Sequence, residues 1–558
     1  MGMLINSKSS YMLFKDDVSS SYYIDKSAML DELVRIVEPM SDTMDESDIY
    51  DESRGKGNKY ICIIRPRRFG KTMMTNLIAA YFSKGIDSGD IFRKLDASKY
   101  DWYERHLNKH NVVYIRFNDV PEDCNSYKQY IGRIERLLKD DLLMMYKDIR
   151  INDNDSVWDA FGKIVEYGHG EKFIFVLDEW DYIFHQDFVS DADRRSFIKF
   201  LNMLLKDRPY VELAYMTGIL PIAKYSSGSE LNMFYEYTMA TREKYSTYFG
   251  FTDEEVDKLY EKYIGIETSP KISRDELAEW YNGYHTVSGI KLYNPRSVVG
   301  ALSDNQIGDF WTSAGPYDEI FYYVRNDINN IRNDIAVMMA GTPIKANVSE
   351  YAATSMNLKT RDEIYSAMVV YGFLSYDDGY VMIPNRELMD KFADMVSKEE
   401  SFGAIYQMAK ESESMLNATL NGDTELMTEI MEKVHNSESP KLYYNDEAEL
   451  SSVLNMVYIQ ARNSYRVERE HPAGAGYADM FFYPNKPDGD CIVAEFKVDA
   501  SADEAIDQIK DRKYAMRFMG KAGETQYTGR ILAVGIAYYK SDSSKRHECK
   551  VEVIRDRI

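Results

Sequence analysis

The stretch that most constrains the fold is residues 59–82, which read KYICIIRPRRFGKTMMTNLIAAYF. The mostly apolar run Tyr60–Ile64 predicts a short buried strand, and the helical pattern that follows begins at Lys71 and Thr72. A strand, a tight loop and a helix in this order gather main-chain N–H groups and the positive end of the helix around one point. This arrangement is typical of a loop that binds phosphate.

The loop residues predict separate roles toward a nucleotide. Lys71 would reach the β and γ phosphates of ATP, and the Thr72 hydroxyl would hold Mg²⁺. The loop departs from the pattern G-x-x-x-x-G-K-[ST], because Arg65 replaces the first glycine and Pro66 lacks an N–H donor. The alternative is a plain strand–loop–helix joint with solvated arginines. The predicted nucleotide-binding residues of this stretch are Arg65, Pro66, Arg67, Arg68, Phe69, Gly70, Lys71 and Thr72.

A second motif, FIFVLDEWD at residues 173–181, complements the first. Its apolar residues predict a buried parallel strand that delivers Asp178 and Glu179 at its carboxyl end, where ligands bind in such sheets. Asp178 would bind Mg²⁺ through water or Thr72, and Glu179 would polarise the attacking water. Thr217 ends a later apolar strand, where it would either sense the γ-phosphate or cap a helix.

The totals of the chain limit its class. With 558 residues the chain is too long for one core, so about three domains are expected. The net charge of −23 argues against indiscriminate coating of nucleic acid but allows a local basic groove. Four scattered cysteines, no secretory signal and no long apolar run predict a soluble cytoplasmic protein without a membrane partner. His106 and His110 are predicted to be surface residues rather than zinc ligands.

The order of predicted elements divides the chain into three parts. Residues 1–240 alternate strands with helices, which predicts an α/β fold with a doubly wound parallel sheet. Within this part, Tyr22, Tyr23 and Ile24 are predicted as an edge strand. Residues 241–400 predict a helical lid that ends in a winged-helix-like piece, and residues 401–558 predict a compact α/β domain. Arg296 in the lid is interpreted as a surface arginine at a helix start, in preference to a residue that reaches the phosphates.

The C-terminal part gathers charged residues on one predicted sheet face. Glu495 and Lys497 lie two apart on a strand, so their side chains point the same way, and Asp479 on the neighbouring strand can join them. Mg²⁺ or Mn²⁺ held by Asp479 and Glu495 would lower the pKa of a bound water beside a phosphodiester, and Lys497 would orient that water. The alternative is a solvated face with cross-strand ion pairs.

The flanking helices add candidates for the same site. Gln508 and Tyr514 lie on the helix that follows the strands. Glu447 and Glu449 lie at the start of the helix before them, and either would supply a third carboxylate.

Five motifs together carry a resemblance to a known family. They are RPRRFGKT at 65–72, VLDEWD at 176–181, TGILP at 217–221, YNGY at 281–284 and YNP at 293–295. The chain resembles a bacterial AAA-ATPase-like family whose members commonly carry a C-terminal nuclease-like domain of the PD-(D/E)xK superfamily. The resemblance implies a P-loop NTPase domain, a helical lid and a C-terminal restriction-endonuclease-like domain.

The resemblance also implies which residues act. Nucleotide and metal would be carried by Lys71, Thr72, Asp178 and Glu179. The nuclease core would consist of Asp479, Glu495, Lys497 and Gln508, with Glu447 chosen over Glu449 as the helix carboxylate.

The leading hypothesis is an ATP-dependent or ATP-regulated metal nuclease that acts on DNA or RNA, with a role in defence or mobile elements suggested by association alone. Its rival is a signalling or scaffold ATPase whose C-terminal fold binds nucleic acid or protein but cuts nothing. The sequence leaves the choice of strand and a homo-oligomeric state open.

Overall fold

The computed structural model describes most of the chain, in thirteen stretches. They are residues 2–37, 58–168, 170–222, 230–311, 331–339, 341–348, 358, 360–398, 404–436, 447–469, 480–519, 526–540 and 546–558. The chain divides into two compact units, one made of residues 1–315 and 346–385 and the other of residues 316–345 and 386–558. The domain limits at residues 240 and 400 stay predictions.

A parallel sheet forms the centre of the first unit. Its strands are β1 (Tyr60–Ile64), β2 (Asn111–Arg116), β3 (Phe173–Asp178), β4 (Val211–Gly218) and β5 (Tyr235–Tyr237). The lateral order is β2-β3-β4-β1-β5, and every neighbouring pair is parallel. The predicted α/β fold with a parallel sheet is therefore confirmed. Because β3, β4 and β1 are neighbours, the loops that follow them meet at one edge.

Helices cover both faces of this sheet, because its central strands are apolar on both sides. Alternate residues of β1 show this: Cys62 and Ile64 belong to one apolar cluster, and Ile61 and Ile63 belong to the other. The helices of the first unit are Lys8–Ser19, Met29–Val37, Lys71–Phe82, Gly89–Phe92, Tyr103–His106, Tyr127–Met145, Val157–Tyr167, Asp191–Leu205, Asp253–Ile266, Arg274–Tyr281, Pro295–Asp304 and Arg361–Tyr371. Its short outer strands are Tyr284–His285, Lys291–Leu292, Ser375–Asp377 and Tyr380–Met382.

A side-chain cap fixes where the helix that carries Arg296 begins. Asn294 accepts from the main-chain N–H groups of Arg296 and Ser297 at 3.0 and 3.3 Å. Pro295 occupies the first helical position, where its missing N–H costs nothing. The cap therefore sets the position of Arg296 in the first turn of this helix.

Two local expectations for this unit are wrong. Residues 22–24 form no strand and run as irregular chain. His106, which was expected at the surface, is only 6% exposed. Its Nδ1 lies 2.9 Å from Nε2 of His110, and Nδ1 of His110 lies 3.0 Å from a carboxylate oxygen of Glu212. This chain of ring nitrogens links the start of β2 to β4. Over the residues described, no group of three histidine, cysteine, aspartate or glutamate side chains is arranged to hold a metal ion.

The second unit contains a mixed five-stranded sheet. Its strands, in lateral order, are Tyr465–Arg469, Met480–Pro484, Cys491–Val498, Ile531–Tyr538 and His547–Arg555. The pair formed by the third and fourth of them is parallel, and the other three pairs are antiparallel. Its helices are Ile331–Met339, Arg386–Lys398, Ala404–Asn421, Thr424–Asn436, Glu447–Val457 and Ala502–Asp511, and the short strand Ile344–Lys345 also belongs to it. None of the helices described in either unit is long and apolar enough to span a bilayer.

Gly218, at the end of β4, is a position that has no room for a side chain. A Cβ atom there would lie 2.4 Å from Cδ1 and 2.5 Å from Nε1 of the fully buried Trp180. We expect Gly218→Ala to lower the free energy of unfolding by about 1–3 kcal/mol in urea denaturation of the full chain. The control Gly132→Ala, inside the helix Tyr127–Met145 with nothing within 4 Å of the new Cβ, should raise it by about 0.5–1 kcal/mol. Equal effects would contradict the close contact at Gly218.

Candidate functional site

The loop of residues 65–70, here called the phosphate loop, leads into a helix whose first main-chain donors are free. Gly70 has a φ of 88°, a left-handed conformation that favours glycine, and the helix begins at Lys71. Among the residues that the structure describes, nothing accepts a hydrogen bond from the main-chain N–H groups of Gly70, Lys71 and Thr72. Free donors at the positive end of a helix form a position that attracts an anion.

Lys71 is buried and folds back onto the phosphate loop. Its Nζ donates to the carbonyl oxygens of Arg65 and Pro66, each at 2.8 Å. Burial lowers the pKa of Lys71 to about 8, although nearby carboxylates act in the opposite direction. Because carbonyl groups are neutral, a phosphate oxygen would be a stronger partner for the same ammonium group.

Asp178 ends β3 as a buried carboxylate with one oxygen bound and one free. Thr217 Oγ1, on β4, donates to Asp178 Oδ1 at 2.5 Å, whereas Asp178 Oδ2 is buried and has no hydrogen-bond partner among the residues described. Burial raises the pKa of Asp178, and Thr217, Thr72 and Lys71 oppose this rise. A free buried carboxylate oxygen near a threonine hydroxyl suits a hard divalent cation such as Mg²⁺.

Glu179 follows Asp178 in a strained backbone conformation. Its φ is 53°, which is uncommon for a residue other than glycine and is often found at functional sites. The main-chain N–H of Glu179 donates to Thr217 Oγ1 at 3.5 Å, so Thr217 contacts both acidic residues. Burial, followed by the charge of Asp178, raises the pKa of the Glu179 carboxyl. A carboxylate of raised pKa is a better proton acceptor for an attacking water.

Asp181, for which the sequence predicts no role, joins the ends of β3 and β4. Its Oδ2 accepts from the main-chain N–H groups of Ile219 and Leu220 at 3.0 and 2.7 Å. Trp180 adds a hydrogen bond from Nε1 to the carbonyl oxygen of Leu220 at 3.2 Å. These bonds hold the two strand ends together beneath Glu179.

Arg65 is fully buried, and its guanidinium group packs into the protein. Nη1 donates to the carbonyl oxygens of Ile64 and Tyr237 at 2.8 and 2.7 Å, and the group lies 5.3 Å from the ring centroid of Phe249. Burial lowers the pKa of Arg65 to about 10. The side chain therefore anchors the loop to β5, and what Arg65 offers to Lys71 is its carbonyl oxygen.

A cavity of about 540 Å³ opens at the phosphate loop. Its walls come from the phosphate loop, the start of the following helix, the ends of β3 and β4, the segment 20–26 and the start of the Pro295–Asp304 helix. The lining residues are Asp17, Ser20, Tyr22, Tyr23, Ile24, Lys26, Arg67, Arg68, Phe69, Gly70, Lys71, Thr72, Met73, Met74, Leu77, Glu179, Asp181, Tyr182, His185, Ile219, Tyr248, Gly250, Phe251, Pro295, Arg296 and Val299.

The structure brings most of the predicted nucleotide-binding residues to this cavity. Residues 67–72 and Glu179 line it, whereas Asp178 and Thr217 are not among its lining residues. Arg65 and Pro66 border a second cavity, of about 220 Å³. The exposed Arg296 also lines the larger cavity. This position favours a role in which Arg296 reaches the phosphates over the surface role preferred from the sequence.

One wall of the cavity, formed by residues distant in sequence from the phosphate loop, was not predicted. Tyr22, Tyr23, Phe251 and Val299 give it an apolar and aromatic surface. No motif marks these residues, because each reaches the cavity only through packing of distant segments. The one signal in the sequence is the pair of aromatic residues close to the N-terminus. The same pattern also predicts an edge strand, so it does not by itself indicate a cavity wall.

A later part of the chain contacts the phosphate loop at Pro66 and Arg67. Trp311 Nε1 donates to the carbonyl oxygen of Arg67 at 3.2 Å. Gly372, with a φ of +86°, approaches Pro66 so closely that a Cβ atom would lie 2.8 Å from the Pro66 Cβ. Tyr284 Oη donates to the carbonyl oxygen of Gly372 at 3.0 Å. We call these contacts the loop brace.

The second unit holds part of the predicted nuclease set. Glu495 is 3% exposed, and its Oε1 accepts from Lys497 Nζ at 2.9 Å and from Gln508 Nε2. The strand Cys491–Val498 and the helix Ala502–Asp511 therefore bring these three side chains together. Asp479 lies outside the residues described, and the side chain of Glu447 does too, although its helix is described.

A family model described as a predicted AAA-ATPase matches residues 49–227 of the chain. This range contains the phosphate loop, Asp178, Glu179 and Thr217. The match supports the AAA-ATPase-like part of the predicted resemblance, with ATP as the nucleotide. The nuclease-like part stays a prediction.

Known proteins similar to the chain include one curated relative and two solved structures. The relative, an uncharacterised protein in the vnfD 5′ region of Azotobacter chroococcum, is 26% identical over 269 residues, which are 47% of this chain; the chain spans about half (48%) of the relative's length. A Walker-type ATPase of Pyrococcus abyssi has a TM-score of 0.31 and 10% identity over 66% of this chain and 94% of its own. The ORC2 protein of Aeropyrum pernix, in ADPNP–ADP complexes, has a TM-score of 0.30 and 10% identity over 65% and 98%.

Replacement of the buried carboxylate Asp178 should stabilise the empty protein. Because burial raises its pKa above the usual 3.8, folding favours protonated Asp178, and that contribution is lost as pH rises through the raised pKa. We therefore expect Asp178→Asn to increase the unfolding temperature at about pH 7.5, and the gain to shrink toward about pH 4.5. Calorimetry of the full chain without nucleotide or metal measures this.

Asp181→Ala is the contrasting variant, because Asp181 accepts two main-chain N–H bonds that alanine would leave without an acceptor. It should lower the unfolding temperature, by an amount equivalent to roughly 1–3 kcal/mol. A loss of stability in Asp178→Asn at the higher pH would contradict the described environment of Asp178.

Proposed function

We propose that the first unit binds and hydrolyses ATP with Mg²⁺ at the phosphate loop, and that its ATP state regulates a metal-dependent, nuclease-like second unit. One observation carries the first half: Lys71 and the free main-chain donors line one cavity, next to the end of β3, where Asp178 keeps a buried carboxylate oxygen free. The family match over residues 49–227 supports the same half. ATP, a nucleic acid and further copies of the chain are the partners that we propose.

Different residues of the chain would bind the phosphates, hold Mg²⁺ and accept the proton of the attacking water. Lys71 would exchange the two carbonyl oxygens for β and γ phosphate oxygens, and the free N–H groups at the helix start would bind the same anion. Thr72 and Asp178 would hold Mg²⁺, which when bound neutralises phosphate charge. Glu179 would accept a proton from the attacking water, and Thr217 would keep Asp178 and Glu179 in register.

The rest of the cavity suits the nucleoside. Tyr23, Phe251 and Val299 supply an apolar surface of the kind that receives a purine ring. Arg296, at the start of its helix, supplies a cation toward the phosphates. We propose that both contributions act within one chain.

Two substitutions separate binding from hydrolysis. Lys71→Ala should abolish detectable ATP binding, because the phosphates lose their main cationic partner. Glu179→Gln should keep ATP binding within about threefold and lower the hydrolysis rate by roughly 10²–10⁴, the usual contribution of a general base. Calorimetric titration with a non-hydrolysable ATP analogue and a phosphate-release assay measure the two effects.

The control for these variants is Glu166→Gln, which removes an exposed carboxylate from the helix Val157–Tyr167. It should behave as the wild-type chain in both assays. Wild-type hydrolysis in Glu179→Gln would exclude Glu179 as the base, and wild-type binding in Lys71→Ala would exclude the phosphate loop as the site.

The second half of the proposal concerns Glu495, Lys497 and Gln508. Their contacts put one acid, one cation and one amide at the same position on the sheet. In catalysis Lys497 would orient the attacking water, and Gln508 would hold Glu495 in position. Asp479 and a carboxylate of the preceding helix would complete a metal site with Glu495, as the sequence predicts.

Cleavage of labelled single- and double-stranded DNA and of RNA, with Mg²⁺ or Mn²⁺, tests this half. We expect wild-type cleavage to depend on ATP and to fall by about 10²-fold or more in Lys497→Ala, because the water loses its orienting cation. Lys510→Ala is the control, since Lys510 pairs with Glu552 instead. Binding of nucleic acid without cleavage would favour the rival scaffold function and leave the ATPase half intact.

A further inference from the structure

The cavity contains a second polar position away from the phosphate loop. Apart from those of the phosphate loop, Lys71, the segment that follows β3, and Arg296, the charged lining residues among those described are Asp17 and Lys26. Lys26 is already engaged, because its Nζ lies 2.5 Å from Glu255 Oε1 and donates to the carbonyl oxygen of Thr247 at 2.7 Å. Asp17 is therefore the charged group on this wall that is left to meet a ligand.

The orientation of Asp17 is fixed from behind. Tyr114, on β2, donates its hydroxyl proton to Asn76 Oδ1 at 2.8 Å, which turns the amide nitrogen of Asn76 outward. That nitrogen donates to Asp17 Oδ2 at 3.3 Å. Asp17 Oδ1 takes no hydrogen bond from any described residue, so it remains an acceptor on a half-buried carboxylate.

The neighbours of Asp17 are those expected around a base rather than around phosphates. It lies two residues before the end of the Lys8–Ser19 helix, directly ahead of the Ser20–Ile24 wall. Asn76, which holds it, lies one turn beyond Thr72 and between Met73 and Leu77, which also line the cavity. Burial raises the pKa of Asp17, which reports partial removal from water, and the Asn76 hydrogen bond opposes the rise.

We propose that Asp17 selects adenine, by accepting a hydrogen bond from the 6-amino group of the base. A carboxylate oxygen can accept but not donate, so when it faces position 6 of the purine it pairs with the amine of adenine and repels the carbonyl oxygen of guanine. The proposal rests on the proposed ATP site and assigns its base specificity. Asp17 is a specificity-determining residue and takes no part in the chemistry.

A series of nucleotides that differ at position 6 of the purine tests this on the wild-type chain. Non-hydrolysable triphosphates of adenosine, purine riboside, inosine and guanosine carry an amine, a hydrogen and, in the last two, a carbonyl at that position. We expect affinity to fall from adenosine through purine riboside to inosine, with adenosine at least about tenfold above inosine and with guanosine equal to inosine. Calorimetric titration of the full chain measures all four.

Asp17→Asn supplies the second arm, because asparagine offers both a donor and an acceptor at the same place. It should reduce the adenosine-to-guanosine ratio to within about threefold, mainly through tighter binding of guanosine. Asp16→Asn, an equal change of charge at the exposed neighbouring position, should leave the ratio unchanged.

Several results would overturn the assignment. One is tight binding of the inosine nucleotide by the wild-type chain, and another is an Asp17→Asn ratio equal to that of the wild type. A third is a wild-type chain that rejects the 2′-deoxyadenosine nucleotide while Asp17→Asn binds both sugars equally, because Asp17 would then contact the ribose. If Lys71→Ala still abolishes binding in these cases, the proposed ATP site survives without the assigned specificity. Nucleotide binding that does not depend on Lys71 would overturn both.

Discussion

The cost of removing charge from water governs the edge of the sheet where β1, β3 and β4 end. Arg65, Lys71 and Asp178 are all buried there, and a buried charge is tolerated only when polar groups replace the lost hydration. The protein supplies them locally: carbonyl oxygens hold Arg65 and Lys71, and Thr217 holds one oxygen of Asp178. These partners come from the ends of β1, β4 and β5 and from the phosphate loop itself.

The polar groups that replace the lost hydration of these buried charges do not satisfy every group near the cavity. Lys71 has only neutral acceptors, Asp178 keeps one oxygen free, and the first N–H groups of the helix have no partner within the described chain. An anion carrying a divalent cation would complete all three at once. The same groups that weaken the empty protein thus favour the loaded one, a conflict between stability and function that is common at binding sites.

How much of this could be predicted from sequence depends on how local each cause is. The run Tyr60–Ile64 and the helix from Lys71 follow from neighbouring residues, and both have the bounds that the pattern predicts. The direction of the Arg65 side chain does not, because its partner Tyr237 lies 172 residues later in the chain. The cavity wall at residues 22–24 was misjudged for the same reason, since β-forming residues there find no strand to pair with.

The loop brace has a thermodynamic consequence of its own. Because Gly372 and Trp311 contact the same loop that lines the cavity, any ligand that shifts the loop changes the energy of those contacts. Linkage makes any such effect mutual: if nucleotide binding shifts the equilibrium of the segment around Gly372 by some factor, an event that shifts this segment changes nucleotide affinity by the same factor. The hairpin that follows this glycine is therefore a second place from which nucleotide affinity could be changed, and it lies more than 300 residues after Pro66 in the chain.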